Sequence, residues 1–244
     1  MSIVFPEWPV PQGVHLAWTQ RHGGVSAKPF DSFNLAHHVG DEPAAVDANR
    51  AQLLTHLPGC NDIRWLSQVH GTDVKDVCLS ANGEPADAAF STEPGLAACV
   101  MTADCLPVFF WQADGRQVAI AHAGWRGLAG GVLAQTLAQF DDPANVFCGI
   151  GPAIGPTAFE VGADVVEAFI NWPNAKLAFM PTAKAGKWLA DLPALAAARL
   201  QYAGVAAVYH SNDCTFVQAD DFYSYRRDGR TGRMANLIWI AADD

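Results

Sequence analysis

The chain is organised around one stretch, Met101-Thr-Ala-Asp-Cys-Leu-Pro-Val-Phe-Phe-Trp-Gln-Ala-Asp-Gly-Arg-Gln-Val-Ala-Ile-Ala-His-Ala-Gly-Trp-Arg126. Residues 106–111 are apolar and aromatic, residues 117–121 are apolar again, and turn-forming residues lie between them at 113–116. This pattern predicts a β-hairpin. Because a hairpin brings its two ends together, Cys105, just before the first strand, and His122, just after the second, are expected to be neighbours.

A glycine-rich turn, His122-Ala-Gly-Trp-Arg-Gly127, follows the hairpin. Residues 128–140 after it carry a pattern that predicts a helix. A strand, a glycine turn and a helix start form a favourable place for an anion, since the first backbone N–H groups of a helix are free to donate. Arg126 is therefore a candidate phosphate ligand, and a surface salt bridge is the alternative.

Three chemically active side chains each follow an apolar run and lie at a predicted turn, namely His70, Cys105 and His122. Two imidazoles and one thiolate suit tetrahedral zinc with an open fourth position. Their spacing matches no short zinc-finger pattern. Two other interpretations stay open: a metal-free nucleophile pair of Cys105 and His122, or three unrelated residues at strand ends.

Charged residues near these side chains have two interpretations each. Asp104 either orients a metal-binding histidine from behind or caps its turn. The basic run at 225–233 contains Arg227 and is interrupted by Asp228, which fits a phosphate-sized anion better than a polymer. A solvated loop is the alternative for this run.

The composition limits the class of protein. The chain has 244 residues, of which half are hydrophobic and 16% are charged, with a formal net charge of −10. This acidic balance argues against binding to nucleic acid backbones. No apolar stretch is long enough to cross a membrane, and no signal peptide is recognised. The six cysteines are scattered without a Cys-x-x-Cys pair, so we expect reduced thiols in a cytoplasmic protein.

Strand and helix patterns interleave without a strict βαβ rhythm. We therefore expect one α/β (α+β) domain over residues 1–244, with a mixed β-sheet and flanking helices. Residues 14–19 are predicted to form a strand, and residues 188–200 an alanine-rich helix. Cys78, Cys99 and Cys148 lie in apolar runs and are expected in the core.

Eight short motifs extend over nearly the whole chain: Arg21-His-Gly-Gly-Val-Ser26, Ser32-Phe-Asn-Leu35, Gln68-Val-His-Gly71, Thr102-Ala-Asp-Cys-Leu-Pro107, His122-Ala-Gly-Trp-Arg-Gly127, Gly151-Pro-Ala-Ile-Gly155, Phe159-Glu-Val-Gly162 and Tyr225-Arg-Arg-Asp-Gly229. In this order they resemble the YfiH/laccase-domain family, once called polyphenol oxidoreductases. The resemblance implies the YfiH-like cysteine hydrolase fold, which a toxin deamidase with a Cys–His pair shares.

The resemblance also implies an activity. It is that of a zinc-dependent purine nucleoside phosphorylase acting on adenosine, inosine and S-methyl-5'-thioadenosine, with adenosine deamination as a second activity. The family's metal ligands fall on His70, Cys105 and His122. The implied partners are a purine nucleoside and phosphate, held by Arg126, or by Arg21 or Arg227, in a monomer or a homodimer.

The older laccase label can be tested against the histidines. Multicopper oxidases need many imidazoles, typically in His-x-His pairs, whereas this chain has eight histidines and no such pair. We therefore expect no trinuclear copper cluster, although copper should enter the single site in vitro because it outcompetes zinc for most ligands. A copper-binding polyphenol oxidase, a metal-free cysteine hydrolase or amidase, and a non-catalytic metal-binding protein are the competing functions.

Overall fold

Two large β-sheets packed face to face form the centre of the computed structural model, which describes residues 2–242. Within these residues the strands are β1 Ile3–Val4, β2 Val14–Thr19, β3 Asp62–Trp65, β4 Val74–Asp76, β5 Ala88–Ser91, β6 Leu96–Thr102, β7 Leu106–Gln112, β8 Val118–Ala123, β9 Val146–Ile150, β10 Glu160–Val161, β11 Phe179–Pro181, β12 Trp188–Ala190, β13 Ala207–His210 and β14 Met234–Ile240. The α-helices are α1 Pro43–Leu54, α2 Trp125–Gly130, α3 Val132–Leu137, α4 Ala163–Ala168, α5 Leu192–Tyr202 and α6 Tyr225–Asp228. Short 3-10 helices cover His37–Val39, Pro143–Asn145 and Ala175–Ala178.

Both large sheets are mixed. The five-stranded sheet has the order β1-β2-β14-β6-β3, and the six-stranded sheet has the order β13-β9-β7-β8-β5-β4. Most neighbours are antiparallel, but β3 with β6, β4 with β5 and β9 with β13 are parallel. A small third sheet has the order β10-β12-β11. The predicted class, a single α+β domain with mixed sheet and flanking helices, is confirmed, and the structure divides the strands between two packed sheets.

The central hairpin is buried on both faces. Side chains alternate along a strand, so Phe109 and Trp111 of β7 pack between the two sheets, while Val108 and Phe110 pack under the helices on the other face. Burial on both faces explains why this strand is a continuous apolar run. Helices α2, α3 and α5 cover the six-stranded sheet, and α1 covers the outer face of the five-stranded one. The layers are thus helix, sheet, sheet and helices.

The single helix predicted for residues 128–140 was wrong in its start and its continuity. The first helix, α2, begins at Trp125, and Gly131 separates it from α3. Gly131 has a φ of +99°, in the left-handed region that ends helices and that glycine adopts without strain. The earlier start places Arg126 inside the helix.

The helix predicted for residues 188–200 was wrong in its first turn. Residues 188–190 form strand β12, and Asp191 then begins α5 by accepting a hydrogen bond from the backbone N–H of Ala194 at 2.9 Å. Cys99 and Cys148 are buried as expected, but Cys78 is exposed. Among residues 2–242, no helix combines the length and apolar character that crossing a bilayer needs.

Candidate metal centre

The hairpin register places Cys105 beside His122. Leu106 pairs with Ala123 and Pro107 pairs with His122, so Cys105 lies immediately before the paired end of β7. The expected proximity of these two side chains is confirmed. His70 approaches from a separate corner, with its ring centroid 4.8 Å from that of His122 and the rings nearly perpendicular. Potential ligand atoms of His70, Cys105 and His122 all lie within 4.8 Å of one another.

The corner that carries His70 is held by two side chains. His70 has a φ of +59°, in the left-handed region that non-glycine residues seldom adopt. The buried carboxylate of Asp87 accepts backbone N–H bonds from Val69 at 3.2 Å, His70 at 3.0 Å and Gly71 at 2.6 Å. These three bonds stabilise the unusual turn.

Gln68 ties the same corner to the five-stranded sheet. Its Nε2 donates to the carbonyl of Met101 at 2.8 Å, and its Oε1 accepts from the N–H of Met101 at 2.7 Å. This paired contact fixes the corner beside strand β6. Asp87 holds the backbone of residues 69–71, and Gln68 holds the same corner against β6. Together these contacts position the imidazole of His70.

Asp87 also determines the tautomer of His122. Its Oδ1 lies 2.8 Å from Nδ1 of His122, and both side chains are buried. Because an ionised carboxylate only accepts hydrogen bonds, Nδ1 carries the proton in the neutral imidazole, and Nε2 is then the nitrogen that can offer a lone pair to a metal. A carboxylate behind a metal-binding histidine orients the ring and raises its basicity. Asp87 thus positions both histidines of the group.

Charge in the group is strongly coupled. Burial opposes ionisation of the Cys105 thiol, but the charge and hydrogen bonding of His122, and then those of His70, lower its pKa to about 6. Burial likewise opposes protonation of His122, but the charge of Cys105 and the hydrogen bond that His122 donates to Asp87 raise its pKa to about 9. Without a metal, a thiolate and an imidazolium therefore face each other at neutral pH. This geometry suits a metal ligand and also a nucleophile.

The donor set fits a single zinc-like ion. Zinc accepts imidazole nitrogen and thiolate sulfur in a tetrahedron, and three protein ligands leave one position open. Gly124 provides the space, since a Cβ there would lie 3.0 Å from Sγ of Cys105 and 3.0 Å from Cδ2 of His70. Among the residues that the structure describes, these three form the one group of at least three potential ligands brought close enough for a metal.

The group opens into a polar cavity of about 400 Å³. Its lining residues are His38, Gln68, His70, Met101, Thr102, Ala103, Cys105, His122, Tyr225 and Arg233. Nη1 of Arg233 donates to the carbonyls of Thr231 and Gly232, each at 3.0 Å, which orients the guanidinium through one of its three nitrogens. Burial, then the charges of Arg233 and Arg50, lower the pKa of His38. The cavity therefore combines a fixed cation with a neutral imidazole at neutral pH.

All three arginines suggested for phosphate, Arg126, Arg21 and Arg227, lie outside the cavity lining. Cζ of Arg126 lies 4.1 Å from the centroid of the Trp125 ring, so the guanidinium stacks on the indole. Arg21 donates from Nη1 to the carbonyl of Ala219 at 3.1 Å and from Nη2 to that of Asp31 at 3.2 Å. Arg21 thus links the backbone at Ala219 to the backbone at Asp31, whereas the guanidinium of Arg126 lies against the Trp125 ring.

The remaining suggested residues stabilise backbone turns. Arg227 donates to the carbonyls of Thr215 and Phe222, each at 2.8 Å. Asp104, with a φ of +96°, accepts from Oγ1 of Thr215 and the N–H of Arg226, each at 2.7 Å. Of its two interpretations, the structure supports the turn, because its carboxylate oxygens accept from Thr215 and Arg226 and from neither His70 nor His122.

Sequence reasoning missed Asp87, Gln68 and Arg233 as parts of this site. Asp87 interrupts the apolar run Ala86-Asp-Ala-Ala-Phe90, and a carboxylate in such a run needs a partner when it is buried. That mismatch was the available signal. Arg233 ends the basic run that was associated with a phosphate-sized anion; Tyr225 and Arg233 of this run line the cavity, and its binding of an anion stays a prediction.

A two-sheet α+β fold with a His-Cys-His group beside a polar cavity defines a class of single-domain proteins able to hold one metal ion. Residues 15–241 match the family model described as multi-copper polyphenol oxidoreductase laccase. The chain belongs to this family, the YfiH/laccase-domain family. The word multi-copper suggests several copper sites with many histidine ligands. The residues that the structure describes contain one group of three potential ligands, and the chain has eight histidines.

Curated relatives match over almost the full length. The chain is 47% identical to the purine nucleoside phosphorylase YfiH of Escherichia coli, with 98% of this chain and 99% of the relative covered. It is 48% identical to a purine nucleoside phosphorylase of Pseudomonas aeruginosa, with 96% and 97% covered. A solved Neisseria meningitidis protein is 46% identical, with a TM-score of 0.92 and 98% and 99% covered. The YfiH protein of Bacillus licheniformis is 30% identical, with a TM-score of 0.87 and 93% and 92% covered.

Proposed function

We propose that this protein is a zinc-dependent purine nucleoside phosphorylase that acts on adenosine, inosine and S-methyl-5'-thioadenosine. The observation that carries the proposal is the opening of the His70, Cys105 and His122 group into a cavity that also contains Arg233. A metal site and a fixed cation side by side suit a reaction between a neutral nucleoside and an anion. The names of the curated relatives at 47% and 48% identity support the same activity.

The reaction exchanges one bond to the ribose for another. An oxygen of HPO₄²⁻ forms a bond to C1' of the ribose, and the bond between C1' and the purine nitrogen breaks. The bonding electron pair leaves with the base, and the phosphate proton moves to the base. The products from adenosine or inosine are ribose 1-phosphate and free purine, and the sugar phosphate formed from S-methyl-5'-thioadenosine keeps its 5'-methylthio group. Positive charge develops at C1' during this exchange, so stabilisation must come from the nearby phosphate and from groups that favour departure of the base.

This chain's residues hold and orient the reactants. Arg233 binds phosphate, because guanidinium groups pair with two phosphate oxygens at once, and His38 lines the same cavity. Asp87 and Gln68 fix the histidines from behind. A zinc ion held by His70, Cys105 and His122 would supply Lewis-acid polarisation and an activated water. The same water chemistry would support adenosine deamination as a second activity.

A metal-free cysteine hydrolase is the second candidate. It is favoured by the lowered pKa of Cys105, about 6, and by the chain of contacts from Cys105 through His122 to Asp87. Such an arrangement resembles a nucleophile with its base and an orienting acid. In this alternative the thiolate itself attacks the substrate.

One experiment separates the two functions. Zinc-loaded protein is incubated with inosine and phosphate, and ribose 1-phosphate and hypoxanthine are measured by mass spectrometry. We expect phosphate-dependent release of hypoxanthine that a chelator abolishes and added zinc restores. Release of hypoxanthine that continues after complete removal of the metal, with free ribose in place of ribose 1-phosphate, would replace the phosphorylase with the cysteine hydrolase.

A further inference from the structure

A second, smaller cavity of about 130 Å³ adjoins the polar one. Ala103, Cys105 and Tyr225 line both cavities and form their common wall. The small cavity is otherwise lined by Asp104, Trp125, Ile154, Phe159, Leu192 and Arg226. Cys105 thus lies between the polar cavity, which contains a cationic side chain, and the small cavity, whose walls are mainly aromatic and aliphatic.

The polar side chains of the small cavity are partly engaged with the protein. Both carboxylate oxygens of Asp104 accept hydrogen bonds, from Thr215 and from the N–H of Arg226. Nη1 of Arg226 donates to the carbonyl of Glu160 at 2.8 Å, and its Cζ lies 5.0 Å from the centroid of the Phe159 ring. The surface left for a ligand is therefore mainly apolar and aromatic, which favours a flat ring system over a charged group.

We infer that this aromatic cavity, walled by Trp125, Ile154, Phe159, Leu192 and Tyr225, receives the purine base, while the polar cavity across Cys105 receives phosphate. The inference rests on the proposed function and assigns the two halves of its site. Phosphorolysis needs the attacking oxygen and the departing base on different sides of C1'. A ribose at the wall that the two cavities share, formed by Ala103, Cys105 and Tyr225, would have phosphate on its polar side and the base on its aromatic side.

The walls also determine which bases are accepted. A hydrogen bond to a substrate group gives strong discrimination, whereas apolar walls distinguish isosteric groups weakly. Both oxygens of Asp104 already accept a hydrogen bond from the protein, so we expect the amino group of adenine and the oxo group of hypoxanthine to meet mainly the same aromatic surface. We expect kcat/KM for adenosine and inosine to differ by less than about 200-fold, since apolar contacts discriminate by roughly 10- to 200-fold at most.

The test measures base binding and phosphate dependence separately in the zinc-loaded full-length protein. Calorimetry gives the affinity for free adenine and hypoxanthine, and steady-state kinetics gives KM for inosine and for phosphate. The variants are Trp125→Leu and Phe159→Leu, with Trp125→Phe and Phe159→Tyr as rescues that keep an aromatic ring. Trp172→Leu, in a separate groove of the surface, is the matched control.

Loss of either aromatic ring should weaken adenine binding by at least about fivefold, as for stacked bases elsewhere. KM for inosine should rise in parallel, KM for phosphate should stay within about twofold, and the aromatic rescues should restore affinity. Unchanged base affinity in both leucine variants, or an equal rise in the phosphate KM, would overturn the inference even if phosphorolysis occurs. Base binding that depends on Trp125 in a protein without phosphorolysis would instead overturn the proposed function and leave the aromatic site standing.

Discussion

Asp87 and His122 are joined twice. Oδ1 of Asp87 lies 2.8 Å from Nδ1 of His122, and the backbone carbonyl of Asp87 accepts the backbone N–H of His122 at 2.6 Å. The same carboxylate also holds the turn of His70 through three backbone bonds. One buried acid therefore sets the geometry of two of the three potential metal ligands, although Asp87 is not itself one of these three residues.

The first prediction concerns this acid. Asp87→Asn keeps the size of the side chain but replaces an acceptor oxygen with a donor, so at least one backbone N–H or His122 loses its partner. We expect zinc affinity to fall about 10- to 100-fold and stability to fall by about 1–3 kcal/mol. Competition with a chelating dye and thermal unfolding measure the two effects. Asp114→Asn, in the hairpin turn, is the control and should change neither.

The second prediction concerns the anion. Arg233→Gln removes the charge that lines the polar cavity and keeps most of the side-chain length. We expect KM for phosphate to rise roughly 10- to 100-fold, as for a lost charge-assisted hydrogen bond. The KM for inosine should change much less. The matched variant Arg116→Gln, on the exposed hairpin turn, should behave as the parent protein. Equal losses for both substrates would show that Arg233 holds the loop and not phosphate.

The third prediction concerns the pH dependence of Cys105. In metal-free protein its lowered pKa, about 6, keeps it a thiolate throughout the neutral range, and the thiolate is lost as pH falls through that value. Burial raises the pKa of Cys60 to about 11, so its thiolate appears only as pH rises. Iodoacetamide labelling followed by peptide mass spectrometry should therefore show Cys105 reacting at pH 7 and Cys60 reacting far more slowly.

Zinc should protect Cys105 in the same labelling experiment, because a coordinated thiolate commits its lone pair to the metal. Chelation should restore the reaction. Rapid labelling of Cys105 in zinc-saturated protein would show that the thiol lies free of the metal and would favour the cysteine hydrolase.

The fourth prediction concerns the space between ligands. Gly124→Ala would place a methyl group 3.0 Å from both Cys105 and His70, which is closer than ordinary carbon contacts. Gly124 has a φ of −62°, which alanine adopts freely, so the backbone should tolerate the change. We expect weaker zinc binding with a nearly unchanged unfolding temperature of the metal-free protein. Unaltered zinc affinity would show that Cys105 and His70 do not need the space left by Gly124 in order to bind the ion.

Local sequence patterns were sufficient to predict the hairpin that brings Cys105 to His122. They were insufficient to predict Asp87, which lies just before another strand and is hydrogen-bonded to His122. The turn at 113–116 and the apolar strands beside it define the pairing that brings Cys105 to His122, because both strands and their turn are contiguous in sequence. Asp87 reaches His122 only because β5 pairs with β8, with Ala88 opposite Ala121. No short window of sequence contains that pairing.

Arg126 shows how a small error in an element boundary changes a functional assignment. The prediction placed it in the turn before a helix, where backbone donors and a guanidinium would meet an anion. The helix begins at Trp125 instead, so Arg126 lies in the first turn and stacks on the Trp125 ring. Helix ends are set by a few competing local interactions and are the least certain feature of a sequence pattern.

The three potential ligands come from distant parts of the chain: a corner after β3, the junction of β6 with β7, and the end of β8. These segments meet only when both sheets are assembled, so the unfolded chain has no comparable site. Ion binding and folding are then thermodynamically linked, and an ion at 100 times its dissociation constant adds about 2.7 kcal/mol to the free energy of unfolding. We expect the melting temperature in calorimetry to rise with the free zinc concentration, and Cys105→Ala to remove that dependence. Zinc supply would then affect how long each copy of the protein stays folded, in addition to how fast it turns over substrate.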